Sequence, residues 1–351
     1  MTEEPDLQED LYEHHKFVVD RGQSLFRIDK YLTNKIENIS RNKIQNAARA
    51  GNIRVNGIAV KPNYRVKPLD TISILLPEPP RDTEIIPENI PLEVVYEDTS
   101  ILVINKKAGM VVHPAYANYT GTLVNALYYK FSGIVNSDSS TVLPYLVHRI
   151  DKDTSGIMLV AKTEYAQSCL AKQFFEHTIS RVYIALVWGD LPQDEGTISG
   201  YINRSPKDRR VMWIYDEETE GRHSVTHYKV IERFGYVTLV ECRLETGRTH
   251  QIRAHFRHIG HPLFSDESYG GRAILKGTLF AKYKQFVENC FTIMPRQALH
   301  AKSLGFLHPD NDVFMNFDSE LPPDFEAVLS KWRTYTRTKA TDNTSISEDQ
   351  D

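Results

Sequence analysis

His148-Arg149-Ile150-Asp151-Lys152-Asp153-Thr154-Ser155-Gly156 runs without a break into the apolar stretch Ile157-Met158-Leu159-Val160. A short apolar run bounded by polar residues reads as a buried strand. The loop before it then holds a carboxylate, Asp151, at a fixed edge of a rigid sheet, with Arg149 two residues upstream. Charge preorganised on a rigid element is how a functional site is built. Taken alone, an aspartate in a loop is also an ordinary turn or cap residue, and the rest of the chain has to separate the two.

Working outward, further strands read at 101–104, 157–161, 182–188 and 236–244, with helical patterns near 123–129, 164–176 and 249–259. Strands and helices interleave through hairpin-like links. The expected fold is α+β, a central mixed and largely antiparallel sheet with flanking helices over 92–336. Before it, residues 79–91 form a proline-rich linker (Pro79, Pro80, Pro87, Pro91), stiff rather than helical. Residues 16–78 read as a small αβ module. Ile28, Leu32 and Ile36 recur at helical spacing, and Ser40 is placed to cap a second helix carrying Ile44, Ala47 and Ala48 and closed by Gly51. Asn56-Gly57 between two short β-prone runs is a hairpin signal, and a further strand follows at 71–75.

The net charge of −4 conceals an uneven distribution. Residues 1–14 carry six acidic side chains and 340–351 carry four, with no lysine or arginine in either. The ends, 1–15 and 337–351, read as acidic disordered tails. Without those acidic stretches, 42 basic residues face 36 acidic ones, and 16–78 alone holds 12 against 5. Clustered positive charge is the footprint of a polyanion partner, or else a solvated face. No stretch approaches the roughly 18 apolar residues of a membrane span. The N-terminus lacks the basic and apolar regions of a secretory signal. Three cysteines without C-x-x-C spacing suggest a reducing compartment and neither a disulfide framework nor a zinc site. The expected location is cytoplasmic.

Arg27-Ile28-Asp29, Ser40-Arg41 and Gly51-Asn52-Ile53-Arg54-Val55-Asn56-Gly57 together resemble the pattern of S4 RNA-binding domains. That resemblance implies that the second helix and the hairpin contact structured RNA, with Arg41, Lys43, Arg49 and Arg54 as the contacting residues. Phosphate contacts of this kind give affinity and salt dependence rather than sequence reading. Arg27 and Asp29 either join that surface or merely cap and pair.

The larger domain resembles the RluA/RluD-type pseudouridine synthases at four places. His148–Gly156 is similar to H-R-L-D-x-x-T-S-G, with Ile150 at the leucine position. Asn105-Lys106-Lys107-Ala108-Gly109-Met110-Val111-Val112-His113-Pro114 resembles K-P-x-G-x-x-x-H, with Lys107 at the proline position. Ser180-Arg181-Val182-Tyr183-Ile184 resembles the tyrosine-bearing strand, and Gly247-Arg248-Thr249-His250-Gln251-Ile252-Arg253 matches G-R-T-H-Q-I/L-R. The resemblance implies that Asp151 is the nucleophile of uridine isomerisation and that Arg248 pairs with it, an arginine favouring the charged carboxylate. It implies that Tyr183 packs against an unstacked base, although tyrosine in an aliphatic strand is commonly core. Arg149 would fill the gap left by the flipped nucleotide, a task suited to a planar cation, with His148 and Thr154 beside it on the substrate.

Arg204, Arg209 and Arg210 form a basic loop that either contacts phosphate or is solvated. His250 and His255 lie five apart with no glutamate between them, which does not make a metal site. The isomerisation needs no cofactor, and the chain has no phosphate-cradling glycine motif. The order of the two domains implies an RNA partner, large-subunit ribosomal RNA or a pre-ribosomal particle, with tRNA as the alternative. A non-catalytic RNA-binding assembly protein should have lost Asp151 or Arg248. A nucleosidase-like hydrolase needs a second carboxylate where the motifs supply an arginine.

Overall fold

The computed structural model describes residues 12–36, 40–76, 85–114, 118–132, 142–278 and 280–347, and the chain divides into two units between Glu84 and Ile85. Residues 1–11 and 348–351 of the acidic ends, and Pro79 and Pro80 of the linker, lie outside the described residues.

The first unit runs β1 (Tyr12–Val18), α1 (Ile28–Lys35), α2 (Arg41–Arg49), β2 (Ile53–Val55), β3 (Ile58–Ala59) and β4 (Thr71–Leu76). Its strands form an antiparallel sheet in the order β1-β4-β2-β3. Ile28, Tyr31 and Leu32 of α1, Ile44 and Ala48 of α2, and Ile53, Val55, Ile72 and Ile74 of the sheet share one core. Ser40 caps α2 by accepting from the Lys43 amide at 3.4 Å, a contact of the kind worth about 1 kcal/mol. Asn56 (φ 51°) and Gly57 (φ 83°) are both left-handed, as the tight turn between β2 and β3 requires. β1 was not expected: residues 12–15 pair with β4 rather than belonging to a tail. Its sequence, Tyr-Glu-His-His-Lys-Phe-Val, is too polar to announce a strand.

The second unit runs β5 (Glu93–Glu97), β6 (Ile101–Lys106), α3 (Leu123–Phe131), β7 (Tyr145–Leu146), β8 (Ser155–Ala161), α4 (Glu164–Phe175) and β9 (Ser180–Trp188). It continues through β10 (Glu195–Arg204), β11 (Met212–Tyr215), β12 (Arg222–Arg233), β13 (Val237–Leu244), α5 (Gln251–His258), α6 (Ala281–Ile293), β14 (Leu299–Leu307), β15 (Phe314–Asp318) and α7 (Pro323–Ser347). The 11-stranded sheet has the order β11-β10-β12-β13-β9-β14-β8-β6-β5, with β15 on β14 and β7 on β8. Its pairings are antiparallel except β14 with β8. The mixed sheet with flanking helices matches the expected α+β class. α7 reaches Ser347, so most of the stretch from 337 read as a disordered tail is helical.

Period-two alternation sends side chains to both faces. On β6 and β8, Ile101, Val103, Ile157 and Leu159 pack under α4, while Leu102, Ile104, Met158 and Val160 join Leu123 and Leu127 of α3. On β9, Ile184, Leu186 and Trp188 meet α6 and α7, and Ala185 and Val187 meet Ile252 and Phe256 of α5. At the centre, Gly156 of β8 sits opposite Ala301 of β14, which sits opposite Tyr183 of β9. A Cβ on Gly156, whose φ is 120°, would lie 2.1 Å from the Ala301 carbonyl oxygen. Only glycine lets these strands approach there.

Candidate active site

Three residues separate Asp151 from β8, in a turn closed by the Thr154 amide donating to the Asp151 carbonyl at 3.1 Å. Several buried groups fix this turn. The Lys106 ammonium donates to the carbonyls of Lys107, Met110 and Lys152, each at 2.9 Å, and the Gly109 amide donates to Lys152 O at 3.0 Å. Burial brings the Lys106 pKa down to about 7, against the opposing pull of Asp153 and Asp151. Lys106 thus ties the loop after β6 to the loop before β8. Its charge at the end of an apolar strand is the signal in the sequence, and the sequence reading gave it no role. Arg296 donates to the Asp153 carbonyl at 3.0 Å, and Gln297 donates to the buried Thr154 hydroxyl at 3.2 Å.

The ion pair of Asp151 is with Arg253, which corrects the expected Arg248. Arg253 NH1 donates to Asp151 Oδ2 at 3.0 Å, and the aspartate side chain keeps 19% of its surface exposed. The same guanidinium grips Asp266 through Nε at 2.7 Å and NH2 at 2.9 Å, and packs 4.7 Å from the Tyr269 ring. Burial lowers the Arg253 pKa, but the two carboxylates raise it overall. Arg248 sits in the turn before α5, and its Nε donates to the His223 carbonyl at 3.2 Å. α5 starts at Gln251, after His250 in a left-handed conformation (φ 52°), and this places Arg253 on the inward face of its first turn.

The motif histidines His250, His255 and His148 each have hydrogen-bond partners within the protein. Tyr269 OH accepts from the Met212 amide at 2.7 Å, leaving its own proton for His250 Nδ1 at 2.9 Å. His250 Nε2 then faces Asp151 Oδ1 at 3.8 Å, and burial lowers its pKa. His255 lies between Ser224 and Thr226 at 2.9 Å each, with its pKa pushed by burial to about 4. His148, expected on the substrate, accepts from the Leu159 amide at 2.9 Å and stacks on Phe174 at 4.8 Å, with its pKa lowered by burial to about 3. It pins the loop to β8. Thr154, expected in the same role, has a buried hydroxyl that accepts from the Gln297 amide as described.

A cavity of about 500 Å³ opens over Asp151. His148, Arg149, Thr154, Tyr183, Arg248 and Arg253 all line it, so residues far apart in sequence converge on one cleft. Arg149 is exposed. Burial raises the Tyr183 pKa, so its hydroxyl stays protonated. Arg181 also lines the cavity; its Nε is buried without a hydrogen-bond partner among the described residues. In the basic loop, Arg204 folds back onto the Arg209 carbonyl, and Arg210 pairs with Asp208 at 2.8 Å, while Arg209 is exposed.

In the first unit, Asp29 is fully buried and gathers Arg27, Arg41 and Gln45 at 2.7–3.1 Å. Burial alone would raise the Asp29 pKa; the hydrogen bonds from Arg27, Gln45 and Arg41 hold it well below the usual carboxylate range. Arg27 and Asp29 therefore do pair, and Arg41 is held in place with its side chain still 45% exposed. Arg49 donates to Asn46 at 3.0 Å, Lys43 is exposed, and Arg54 is half-buried on β2.

Residues 100–258 match the family model for RNA pseudouridylate synthase, and residues 26–72 match that for the S4 domain. An uncharacterised RNA pseudouridine synthase of Chlorobaculum parvum is 45% identical over 318 residues, covering 90% of this chain and 97% of that protein. The ribosomal large subunit pseudouridine synthase D of Zymomonas mobilis is 42% identical over 313 residues, covering 87% and 93%. Among solved structures, human RNA pseudouridylate synthase domain containing 1 aligns with a TM-score of 0.50 and 27% identity, covering 71% of this chain and 89% of that one. Identity of this extent across nearly the whole length leaves one conclusion: the chain belongs to the RNA pseudouridine synthase family, an isomerase preceded by an S4 RNA-binding domain.

Proposed function

We propose that this enzyme isomerises uridines of large-subunit ribosomal RNA, with Asp151 as the nucleophile. The observation that carries the reading is the convergence of Asp151, Tyr183 and Arg149 on one cavity, with Arg253 fixing the carboxylate at 3.0 Å. A uridine cannot be reached inside a stack, so it has to be extruded into such a cavity. Tyr183 then offers a face to the base, and Arg149 is free to occupy the vacated gap. Asp151 adds to the nucleotide at the ribose C1′ or the base C6, or acts by proton abstraction. The N1–C1′ bond breaks, the base turns, a C5–C1′ bond forms, and the bond to Asp151 breaks again, or the abstracted proton returns, which restores the free carboxylate. C5 loses its proton and N1 ends protonated, so atoms and electrons balance without a cofactor.

The large-subunit substrate rests on the S4-first domain order and on the name of the Zymomonas relative. A cytoplasmic location goes with that substrate. The alternative is the same chemistry on tRNA. Mapping pseudouridines in cellular ribosomal RNA and tRNA with and without the gene tests the choice. Loss of sites from large-subunit RNA alone is expected, and loss confined to tRNA overturns the substrate.

A further inference from the structure

We propose that Phe175 is a stacking subsite for the nucleobase next to the flipped uridine; this rests on the synthase reading above. Two consecutive phenylalanines end α4, and they do different work. Phe174 is used internally: it stacks on His148 at 4.8 Å and lies 5.8 Å from the Arg181 guanidinium. Phe175 is 83% exposed, yet it lines the same cavity as Asp151 and Tyr183. A lone exposed apolar side chain is commonplace on a protein surface. A phenylalanine exposed at a catalytic cleft that an exposed arginine, Arg149, also lines is not in a neutral place.

The helix end that presents it is fixed. The Glu176 amide donates to Lys172 O at 2.8 Å and the Thr178 amide to Gln173 O at 3.1 Å, with His177 left-handed between them (φ 59°). This is the closure that ordinarily places glycine at the left-handed position. Histidine there carries backbone strain, and His177 also lines the cavity. The ring of Phe175 has no donor or acceptor, so it cannot read a base edge. It offers a face that any base can use. Extruding the uridine strips its neighbour of a stacking partner. Arg149 fills the gap inside the stack, and Phe175 receives the neighbouring base at the rim. The subsite therefore selects for a flanking nucleotide that is free to unstack, such as one in a loop.

The test uses the full-length protein and an unmodified large-subunit ribosomal RNA transcript, with pseudouridine formation as the readout. Phe175→Ala and Phe175→Leu are expected to raise KM about tenfold, within the range of one base–aromatic stack, with a smaller change in kcat. Phe175→Trp should restore KM, and melting temperatures should be unchanged because the side chain is exposed. A wild-type KM for Phe175→Ala, or leucine serving as well as tryptophan, overturns the subsite. A defect seen on ribosomal particles but not on the protein-free transcript marks a protein contact and overturns it too. Wild-type enzyme in the same assay reports on the synthase reading separately: no pseudouridine there sinks that reading, and the subsite with it.

Discussion

Arg253 carries five N–H donors in a rigid fork and directs three of them to two carboxylates. Asp266 takes Nε and NH2, which orients the guanidinium so that NH1 meets Asp151. A lysine puts its three donors on one nitrogen and cannot keep the two-pronged grip on Asp266 while reaching Asp151 in this geometry. Arg253→Lys is therefore expected to lower kcat about a hundredfold, the scale on which loss of one preorganised donor acts. Arg248→Ala should cost clearly less, because its Nε holds only the His223 carbonyl. Single-turnover rates of both variants decide this, and a larger loss for Arg248→Ala would contradict the assignment. Both arginines stand in one motif, so the sequence made an arginine partner for Asp151 legible but not which one. The choice depends on where α5 begins, and that depends on a left-handed His250, a conformation that histidine does not advertise. Asp266 was also silent, since nothing in the sequence places it beside Arg253.

At the scale of elements, the site sits where β8 and β14 run parallel in an otherwise antiparallel sheet. Gly156 permits that contact, and a methyl group there would meet the Ala301 backbone. Gly156→Ala should destabilise the second unit by about 3 kcal/mol through backbone clash and an unfavourable φ. Urea unfolding measures this, and a change below about 0.5 kcal/mol would show that the strands relax freely. Strands with apolar runs, β6, β8 and β9, and β13 with its partly alternating Val-Thr-Leu-Val-Glu-Cys-Arg-Leu, could be read from sequence. β10 and β12 could not: each faces core with few residues, as in Glu-Gly-Thr-Ile-Ser-Gly-Tyr-Ile-Asn-Arg, where polar side chains dominate. β14 is masked by its buried His300, whose partners Ser155 and Ser319 are remote in sequence. α7 was not read from the sequence, although it carries a helical stripe, Phe325, Val328, Leu329 and Trp332, and the polar residues after 336 hide its continuation.

Across the whole molecule, His148, His255 and His300 are held neutral by burial, with pKa values near 3, 4 and 4 against an ordinary 6.5. Between those values and 6.5 the unfolded chain binds more protons than the folded one, so stability is intact above pH 6.5 and falls as the pH drops toward 4. Each histidine contributes at most about 1.4 kcal/mol per pH unit in that window. Melting temperature should therefore decline from pH 7 to pH 5, and a constant or rising value would contradict the burial of these rings as neutral groups. The S4 RNA-binding domain and the synthase domain, both legible from their motifs, put a proposed RNA-contacting surface at a distance in sequence from Asp151. That separation makes Asp151→Asn the most direct measurement: pseudouridine formation and RNA affinity on the same unmodified large-subunit transcript. The account predicts that turnover disappears while affinity stays within about twofold of wild type, because the phosphate contacts proposed for Arg41, Lys43, Arg49 and Arg54 do not involve Asp151. Turnover near the wild-type rate would contradict the role of Asp151 outright.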